Sequence, residues 1–299
     1  MELQGKWALV TGSTGTIGNR IVHRLISEGM RVRALVRRPD QAAELTALGV
    51  EVVQGDITDP DAVRTAMDGA QLVVHSAAYI GGDWDLSRRT NVEGTQNMVV
   101  AALQARPELF VHISTISVYD LYHQTEFAES SPFCTHPENA YQATKTEAER
   151  AVWQAAEQGL PVLVIRPCNV LSAHPTSYWG PIALKRVAEG FHRWHPDGLF
   201  PWIHVENLVD LTLLAMHTPE AVGQAYTAID GHVPNSEYWG RLAAWTGNTR
   251  PPEGPPFYWR FSLEKNRSLG YRSRITFDEA MAELEACARA MGYPGQGEA

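Results

Sequence analysis

The sequence predicts an α/β protein built on a doubly wound parallel sheet, with a smaller, irregular C-terminal lobe. Three observations predict it. Across the first two thirds of the 299 residues, short apolar runs alternate with segments of helical period, the pattern of a parallel sheet wrapped by helices. A glycine-rich turn, Thr11-Gly12-Ser13-Thr14-Gly15-Thr16-Ile17-Gly18, separates the first strand-like run from the first helical segment. After about residue 170, prolines, glycines and aromatics become denser, and six of the nine tryptophans lie from Trp179 onward. The expected division is therefore 1–170 for the sheet domain and 171–299 for the lobe, with later segments returning to the sheet.

The elements follow in order. Trp7-Ala8-Leu9-Val10 reads as the first strand and Arg31 to Val36 as the second. Further strands are Glu51-Val52-Val53, Leu72 to His75, Leu109 to Ile113 and Val162 to Ile165, each a short run rich in branched side chains. Between the first two lies a helix over Asn19–Glu28, where Ile21, Val22, Leu25 and Ile26 make one stripe closed by Gly29. Another starts near Thr58-Asp59-Pro60, a capping side chain ahead of a proline suited to the first turn. Pro251-Pro252-Glu253-Gly254-Pro255-Pro256 must be a loop, and Thr276–Met291 reads as a final amphipathic helix.

Composition narrows the function. With 44% hydrophobic and 20% charged residues the chain is globular rather than disordered. The formal charge of −9 argues against nucleic acid as the main partner, while allowing a local basic pocket. No apolar run is long enough to span a membrane. The N-terminus, Met1-Glu2-Leu3-Gln4-Gly5-Lys6, has no signal-peptide layout, so a cytoplasmic location is expected. Cys134, Cys168 and Cys287 are far apart, with no metal-ligand spacing, and read as free thiols; no metal site is expected.

Glycines at 12, 15 and 18 let the backbone turn tightly and approach a pyrophosphate, and the helix that follows presents unpaired N–H groups to it. The second strand ends Leu35-Val36-Arg37-Arg38. An acidic residue there suits the 2′-hydroxyl of NAD, whereas an arginine suits the 2′-phosphate of NADP. Arg37 thus points to NADP(H), with NAD(H) as the other possibility.

Tyr141 and Lys145 stand four apart, which on a helix puts them on one face. A free tyrosine titrates near 10, and a neighbouring ammonium would lower that value toward useful acid–base work. Upstream, the strand Leu109–Ile113 leads into Ser114-Thr115-Ile116-Ser117-Val118-Tyr119, so hydroxyls crowd a strand end where open α/β folds bind ligands.

In these segments the chain resembles the extended short-chain dehydrogenase/reductases, the NAD-dependent epimerase/dehydratase family, whose fold is the Rossmann type. TGxxGxxG stands at Thr11–Gly18, an adenine-contacting Asp at Asp56 in Gly55-Asp56-Ile57, the strand-four motif at His75-Ser76-Ala77-Ala78 and the helix motif at Asn91-Val92-Glu93-Gly94-Thr95. Then come YxxxK, Arg166-Pro167, the block Trp202-Ile203-His204-Val205-Glu206-Asn207-Leu208-Val209, and Leu269-Gly270-Tyr271-Arg272.

The resemblance implies roles. Tyr141 would be the acid/base, Lys145 would hold the nicotinamide ribose and depress the tyrosine, and Thr115 rather than Ser114 would hydrogen-bond the reacting oxygen. The cofactor would meet Gly12, Thr14, Gly15, Thr16, Ile17 and Gly18 at its pyrophosphate, Asp56 and Ile57 at adenine, and Ser76, Ala77 and Ala78 at ribose. Asn91 also belongs to this group, and Pro167 and Cys168 would pack near the nicotinamide. Tyr79, Trp84, Asn169 and Trp179 are the candidate substrate residues. His204, Glu206 and Asp210 are expected to be structural, and His75 and His112 to be satisfied core histidines.

Members of this family oxidise or reduce carbonyls, epimerise sugars or dehydrate nucleotide-sugars. Its dehydratases carry an Asp-Glu pair after the catalytic Thr, whereas Thr115 is followed by Ile116-Ser117. The pattern is most similar to dihydroflavonol-reductase-like and 3β-hydroxysteroid-dehydrogenase-like members. The expected activity is NADP(H)-linked carbonyl/alcohol interconversion on a small, mainly apolar molecule. A nucleotide-sugar 4-epimerase, with Lys185, Arg186, Arg193 and Arg241 as diphosphate candidates, is the alternative, and a non-catalytic cofactor sensor is a second. A homodimer is a possible assembly.

Overall fold

The computed structural model describes residues 3–294; Met1 and Glu2 of the N-terminal reading lie outside them. In chain order the first elements are β1 (Trp7–Thr11), α1 (Thr16–Ser27), β2 (Arg31–Val36), α2 (Ala43–Ala47), β3 (Glu51–Gln54), α3 (Pro60–Met67), β4 (Leu72–His75), α4 (Trp84–Ser87), α5 (Gly94–Ala105) and β5 (Leu109–Ile113). There follow β6 (Glu126–Phe127), α6 (Ala140–Glu157), β7 (Val162–Pro167), β8 (Asn169–Leu171), α7 (Pro181–Ala188), β9 (Leu199–His204), α8 (Val205–His217), β10 (Gln224–Ala228) and β11 (Gly231–Pro234). The last are α9 (Arg241–Thr246), β12 (Arg260–Phe261), α10 (Glu264–Ser268) and α11 (Phe277–Ala290).

Contacts divide the chain into two compact units that interleave in sequence. The first takes residues up to Asp120, Ser131–Arg166 and Leu211–Tyr226; the second takes Leu121–Ser130, Pro167–Asp210 and the residues from Thr227 on.

The first unit is built around a seven-stranded sheet in the order β10-β7-β5-β4-β1-β2-β3. The pairs β3–β2, β2–β1, β1–β4, β4–β5 and β5–β7 are all parallel. Parallel strands are covered on both faces, which explains why β4, β5 and β7 are buried along their whole length. The core joins Leu9, Val73, Phe110 and Val164 of the sheet to Met98 and Ala102 of α5 and Val152 of α6, none more than 1% exposed. Each such side chain contributes about 1.5–3 kcal/mol by leaving water. Register aligns Thr11 with His75 and His75 with His112, so the loops after β1, β4 and β5 leave the sheet at one edge. The strand order reverses between β1 and β4, the switch point where such sheets bind ligands.

Helix starts follow the capping chemistry. Asp59 accepts from the Asp61 amide at 2.9 Å ahead of Pro60, and Asn139 accepts from the Gln142 amide at 2.9 Å at the head of α6. Helix α1 begins at Thr16, three residues before the expected Asn19, because the glycine turn runs directly into it with Gly15 as N-cap. A wider π-type turn over Arg88–Glu93, with no sequence signal, separates α4 from α5.

The second unit holds a three-stranded sheet, β11-β9-β8, and the short parallel pair β12-β6. Its core is aromatic: Phe200 stacks on Tyr238 at 4.0 Å, with Trp239 and Trp245 buried beside them among α7, α9 and α11. Residues 251–256 have no regular structure, as their prolines require. Thr276 and Glu279 form a capping box at the head of α11. Among the described residues no helix is long and apolar enough to cross a membrane.

Candidate active site

The glycine turn is set by close backbone approach. Gly12 has φ +68°, and a Cβ there would lie 2.7 Å from the Ala77 nitrogen, so the turn packs on the strand-four loop with no room for a side chain. At Gly18 a Cβ would meet the Gly12 carbonyl oxygen at 2.2 Å, which brings the first turn of α1 onto the loop. No side chain caps α1 at Gly15. The Ser13 hydroxyl, in a residue that is completely buried, has no hydrogen-bond partner in the protein. A bare helix N-terminus, a side-chain-free cradle and an unspent hydroxyl together fit a pyrophosphate.

His75 ties the loops around this cradle together. The Thr95 hydroxyl donates to the Asn91 carbonyl at 2.6 Å, so its oxygen accepts from His75 Nε2 at 3.0 Å. His75 Nδ1 is then the acceptor for the Thr11 hydroxyl at 2.8 Å, and the Thr11 oxygen accepts from the Ala77 amide at 3.3 Å. This neutral tautomer agrees with a pKa lowered to about 3 by burial and, secondarily, by Lys145. Asn91 spends its side-chain amide on the protein as well, donating to the Tyr79 carbonyl and the Thr144 hydroxyl, both at 3.0 Å, and accepting from the Tyr79 amide at 2.7 Å. It braces the strand-four loop against α6.

At the end of β2 the Arg37 side chain is 66% exposed and stands 3.8 Å from the Asp56 carboxylate, so the two residues assigned to the adenosine end are neighbours. Asp56 also accepts from the Thr58 amide at 2.9 Å, which fixes the turn after β3.

Tyr141 lies in the first turn of α6, half-buried, and Lys145 one turn on is 2% exposed. The ammonium donates to the Ile113 carbonyl at 3.0 Å, at the end of β5. Burial lowers Lys145 to about 8, against the pull of Glu149. Burial raises the Tyr141 phenol, and a hydrogen bond with Thr115 opposes the rise. The expected depression of Tyr141 by Lys145 is absent: the two groups acting on the phenol are its desolvation and Thr115. Thr115 itself caps the short turn after β5, accepting from the Ser117 amide at 3.1 Å.

Ser114 is spent elsewhere. Its hydroxyl donates to the completely buried Glu149 carboxylate at 2.5 Å. Glu149 also accepts from Arg166 Nη2 at 2.6 Å and Nε at 3.0 Å, and from Trp153 at 2.9 Å. His75 is the satisfied core histidine expected from sequence; Glu149 was assigned no role, and its signal is that it stands as the next i+4 position after Lys145. His112 is a correction: it is buried in β5, but neither ring nitrogen has a hydrogen-bond partner, and it stays neutral beside Lys145.

Ile80 and Trp84, 54% and 58% exposed, put apolar surface beside the strand-four loop, and the Tyr79 ring covers Gly81. In the second unit, Cys168 donates its amide to the Ala228 carbonyl at 3.1 Å directly after Pro167, and its thiol is pushed up by burial. Asn169 opens β8 opposite Trp202. The half-buried Trp179 ring packs on Phe200 at 5.4 Å and Trp239 at 5.8 Å, at the margin of the aromatic cluster. His204 pairs with Glu283 at 3.0 Å, Asp210 with Arg274 at 3.1 Å, and Asp230 takes the Tyr271 hydroxyl at 2.5 Å; these groups brace β9, α8 and α11. Among the described residues no group of three or more His, Cys, Asp or Glu is placed to hold a metal.

Residues 8–228 match the family described as the NAD dependent epimerase/dehydratase family. The chain is 32% identical over 228 residues to a 4-hydroxy-2-methyl-3-oxo-4-farnesyl-3,4-dihydroquinoline-1-oxide ketoreductase of Stigmatella aurantiaca, covering 74% of this chain and 67% of that one. It is 30% identical over 306 residues to a dTDP-glucose 4,6-dehydratase of Streptomyces antibioticus, covering 92% and 90%. A solved short-chain dehydrogenase/reductase superfamily protein from Agrobacterium tumefaciens with bound NAD superimposes with a TM-score of 0.80 at 25% identity, covering 95% of this chain and 98% of that one. The chain therefore belongs to the NAD dependent epimerase/dehydratase family and is an NAD(P)-dependent oxidoreductase of the extended short-chain dehydrogenase/reductase type.

Proposed function

We propose that the protein uses NADP(H) to interconvert a carbonyl and an alcohol on a small, largely apolar substrate. The observation that carries this reading is the convergence of Thr115, Tyr141 and Lys145 at the end of β5, where burial keeps the phenol protonated. The bound dinucleotide supplies the hydride for reduction, or accepts it in oxidation. Tyr141 gives its phenolic proton to the carbonyl oxygen as negative charge develops there. Thr115 hydrogen-bonds the same oxygen. Lys145, one turn on and tied to the Ile113 carbonyl, would hold the nicotinamide ribose.

Within the first unit, Gly12, Thr14, Gly15, Thr16, Ile17 and Gly18 would hold the pyrophosphate, with Ser76, Ala77 and Ala78 at ribose and Asp56 and Ile57 at adenine. Arg37, exposed and only loosely paired with Asp56, is free to turn to a 2′-phosphate. Asn91 would act by holding the strand-four loop. The exposed Ile80 and Trp84, beside Tyr79, support an apolar substrate body.

A nucleotide-sugar reaction is the second reading, favoured by the 92% coverage of this chain by the dehydratase relative. Against dehydration, Thr115 is followed by buried Ile116 and by Ser117, which leaves a 4-epimerase as the nucleotide-sugar alternative. Two of the candidate diphosphate ligands are also engaged, Arg186 with the Tyr178 hydroxyl at 2.6 Å and Arg241 with Glu237 at 2.9 Å. NADPH consumption on a panel of apolar ketones and aldehydes, set beside calorimetric binding of UDP, separates the two. Carbonyl-dependent oxidation of NADPH supports the first reading; tight UDP binding with no such turnover supports the second.

A further inference from the structure

Tyr141, Lys145 and Glu149 are spaced by four along α6 and share one helix face. Three successive residues at the end of β5 meet them. The Ile113 carbonyl accepts from Lys145, the Ser114 hydroxyl donates to Glu149, and the Thr115 hydroxyl faces Tyr141. The strand end and the helix face are thus clamped residue by residue, with Glu149 the deepest member at 0% exposure.

A carboxylate buried so completely persists only against strong compensation. Arg166 supplies one cation through two close contacts, while the Ser114 hydroxyl and the Trp153 indole fill further acceptor sites. That is more support than register alone requires, and the second buried cation nearby is Lys145. From β4 and β5 the ammonium is faced by His75 and His112, both neutral, and on its own helix by Tyr141, also neutral. Glu149 is the charged group that acts on Lys145.

We propose that Glu149 is a positioning residue for the Tyr141–Lys145 pair: it holds the charge on the Lys145 ammonium and, through Ser114, fixes α6 against the end of β5. Without an anion beside it, an ammonium this deep sheds its proton. Arg166 keeps Glu149 ionised and oriented, so the order of support runs Arg166, Glu149, Lys145, Tyr141. The inference deepens the acid/base reading given above and rests on it.

The test reads Lys145 directly. The chain has four lysines, Lys6, Lys145, Lys185 and Lys265, so the ε-carbons of ¹³C-lysine-labelled full-length protein give a short spectrum, assigned by the signal lost in Lys145→Met. In the wild type burial lowers Lys145 to about 8, and its titration is expected there. In Glu149→Gln it is expected to titrate at least about one pH unit lower, a tenfold weaker hold on the proton, and Glu149→Asp is expected to recover at least half of that shift. If Glu149→Gln does not fold by circular dichroism, Glu149→Gln/Arg166→Met removes both buried charges and is titrated in its place, with a smaller downward shift expected because the loss of Arg166 opposes the loss of Glu149. A purely structural Glu149 would lower the melting temperature and leave the Lys145 titration where it is. An unchanged titration in a folded variant overturns the proposal. Failure of the acid/base reading itself shows separately, as undiminished turnover in Tyr141→Phe.

Discussion

Ser114 gives its hydroxyl to the buried Glu149 carboxylate at 2.5 Å, and this leaves Thr115, which caps the turn at Ser117, as the hydroxyl that faces Tyr141. Two adjacent residues of the same chemical type are therefore sorted by one hydrogen bond into a structural member and a candidate reacting member. The sorting explains why the site reads as Thr-Tyr-Lys although a serine stands first at the strand end.

Lys145 carries a cost in stability. Its folded value of about 8 lies below the ordinary 10.5, so the unfolded chain binds a proton that the folded chain does not between those two pH values. By linkage, stability from this group rises with pH across that window and is lowest below pH 8. Lys145→Met is expected to be more stable at pH 7 by about 2 kcal/mol, from about 3 kcal/mol of desolvation less about 1 kcal/mol for the bond to Ile113. Thermal melts from pH 7 to 10 check this: the gap should narrow as pH rises past 8. A variant less stable than the wild type at pH 7 contradicts the burial argument.

Gly18→Ala places a methyl 2.2 Å from the Gly12 carbonyl oxygen. Overpacking of this kind costs about 1–3 kcal/mol and pushes the turn off the helix end. The expected result is at least about a tenfold weaker affinity for the dinucleotide by calorimetry, with a melting temperature several degrees lower. Native affinity in this variant would remove the glycine turn from the cofactor site.

Arg37→Ala tests cofactor choice. Because Asp56 already stands 3.8 Å from the guanidinium, the preference is expected to be moderate, about tenfold for NADP(H) over NAD(H), and to vanish in the variant. Equal affinities in the wild type would favour the second reading.

Trp179→Ala distinguishes packing from substrate contact. The ring sits against Phe200, Tyr238 and Trp239, so the substitution is expected to lower stability by about 3 kcal/mol and to leave the Michaelis constant of the folded fraction unchanged. A raised Michaelis constant with an unchanged melt would instead place the ring in the pocket.

The sheet was legible because its signals are local. Branched runs such as Leu72-Val73-Val74 sit where both faces are covered, and Asp59-Pro60 announces a helix start. The second unit was legible only as a change of texture, since the pairing of β6 with β12 joins residues more than a hundred positions apart and Phe200 on Tyr238 is a tertiary contact. In the site, the residues that chemistry marks (Tyr141, Lys145, the glycines) could be named, whereas Glu149 and His75 look like ordinary helix and strand residues until their partners are placed. The Tyr141 shift is hidden from sequence for the same reason: spacing gives adjacency to Lys145, but the ammonium is directed to Ile113 and burial raises the phenol.

Tyr141→Phe tests the central claim most directly. The substitution removes the phenolic hydroxyl from a half-buried helical position, so the fold and dinucleotide affinity are expected to stay near those of the wild type. Measured as NADPH oxidation at saturating carbonyl substrate, turnover is expected to fall by at least about two decades, the usual worth of a general acid. Turnover within a few-fold of the wild type, on a substrate the wild type reduces, would contradict the account.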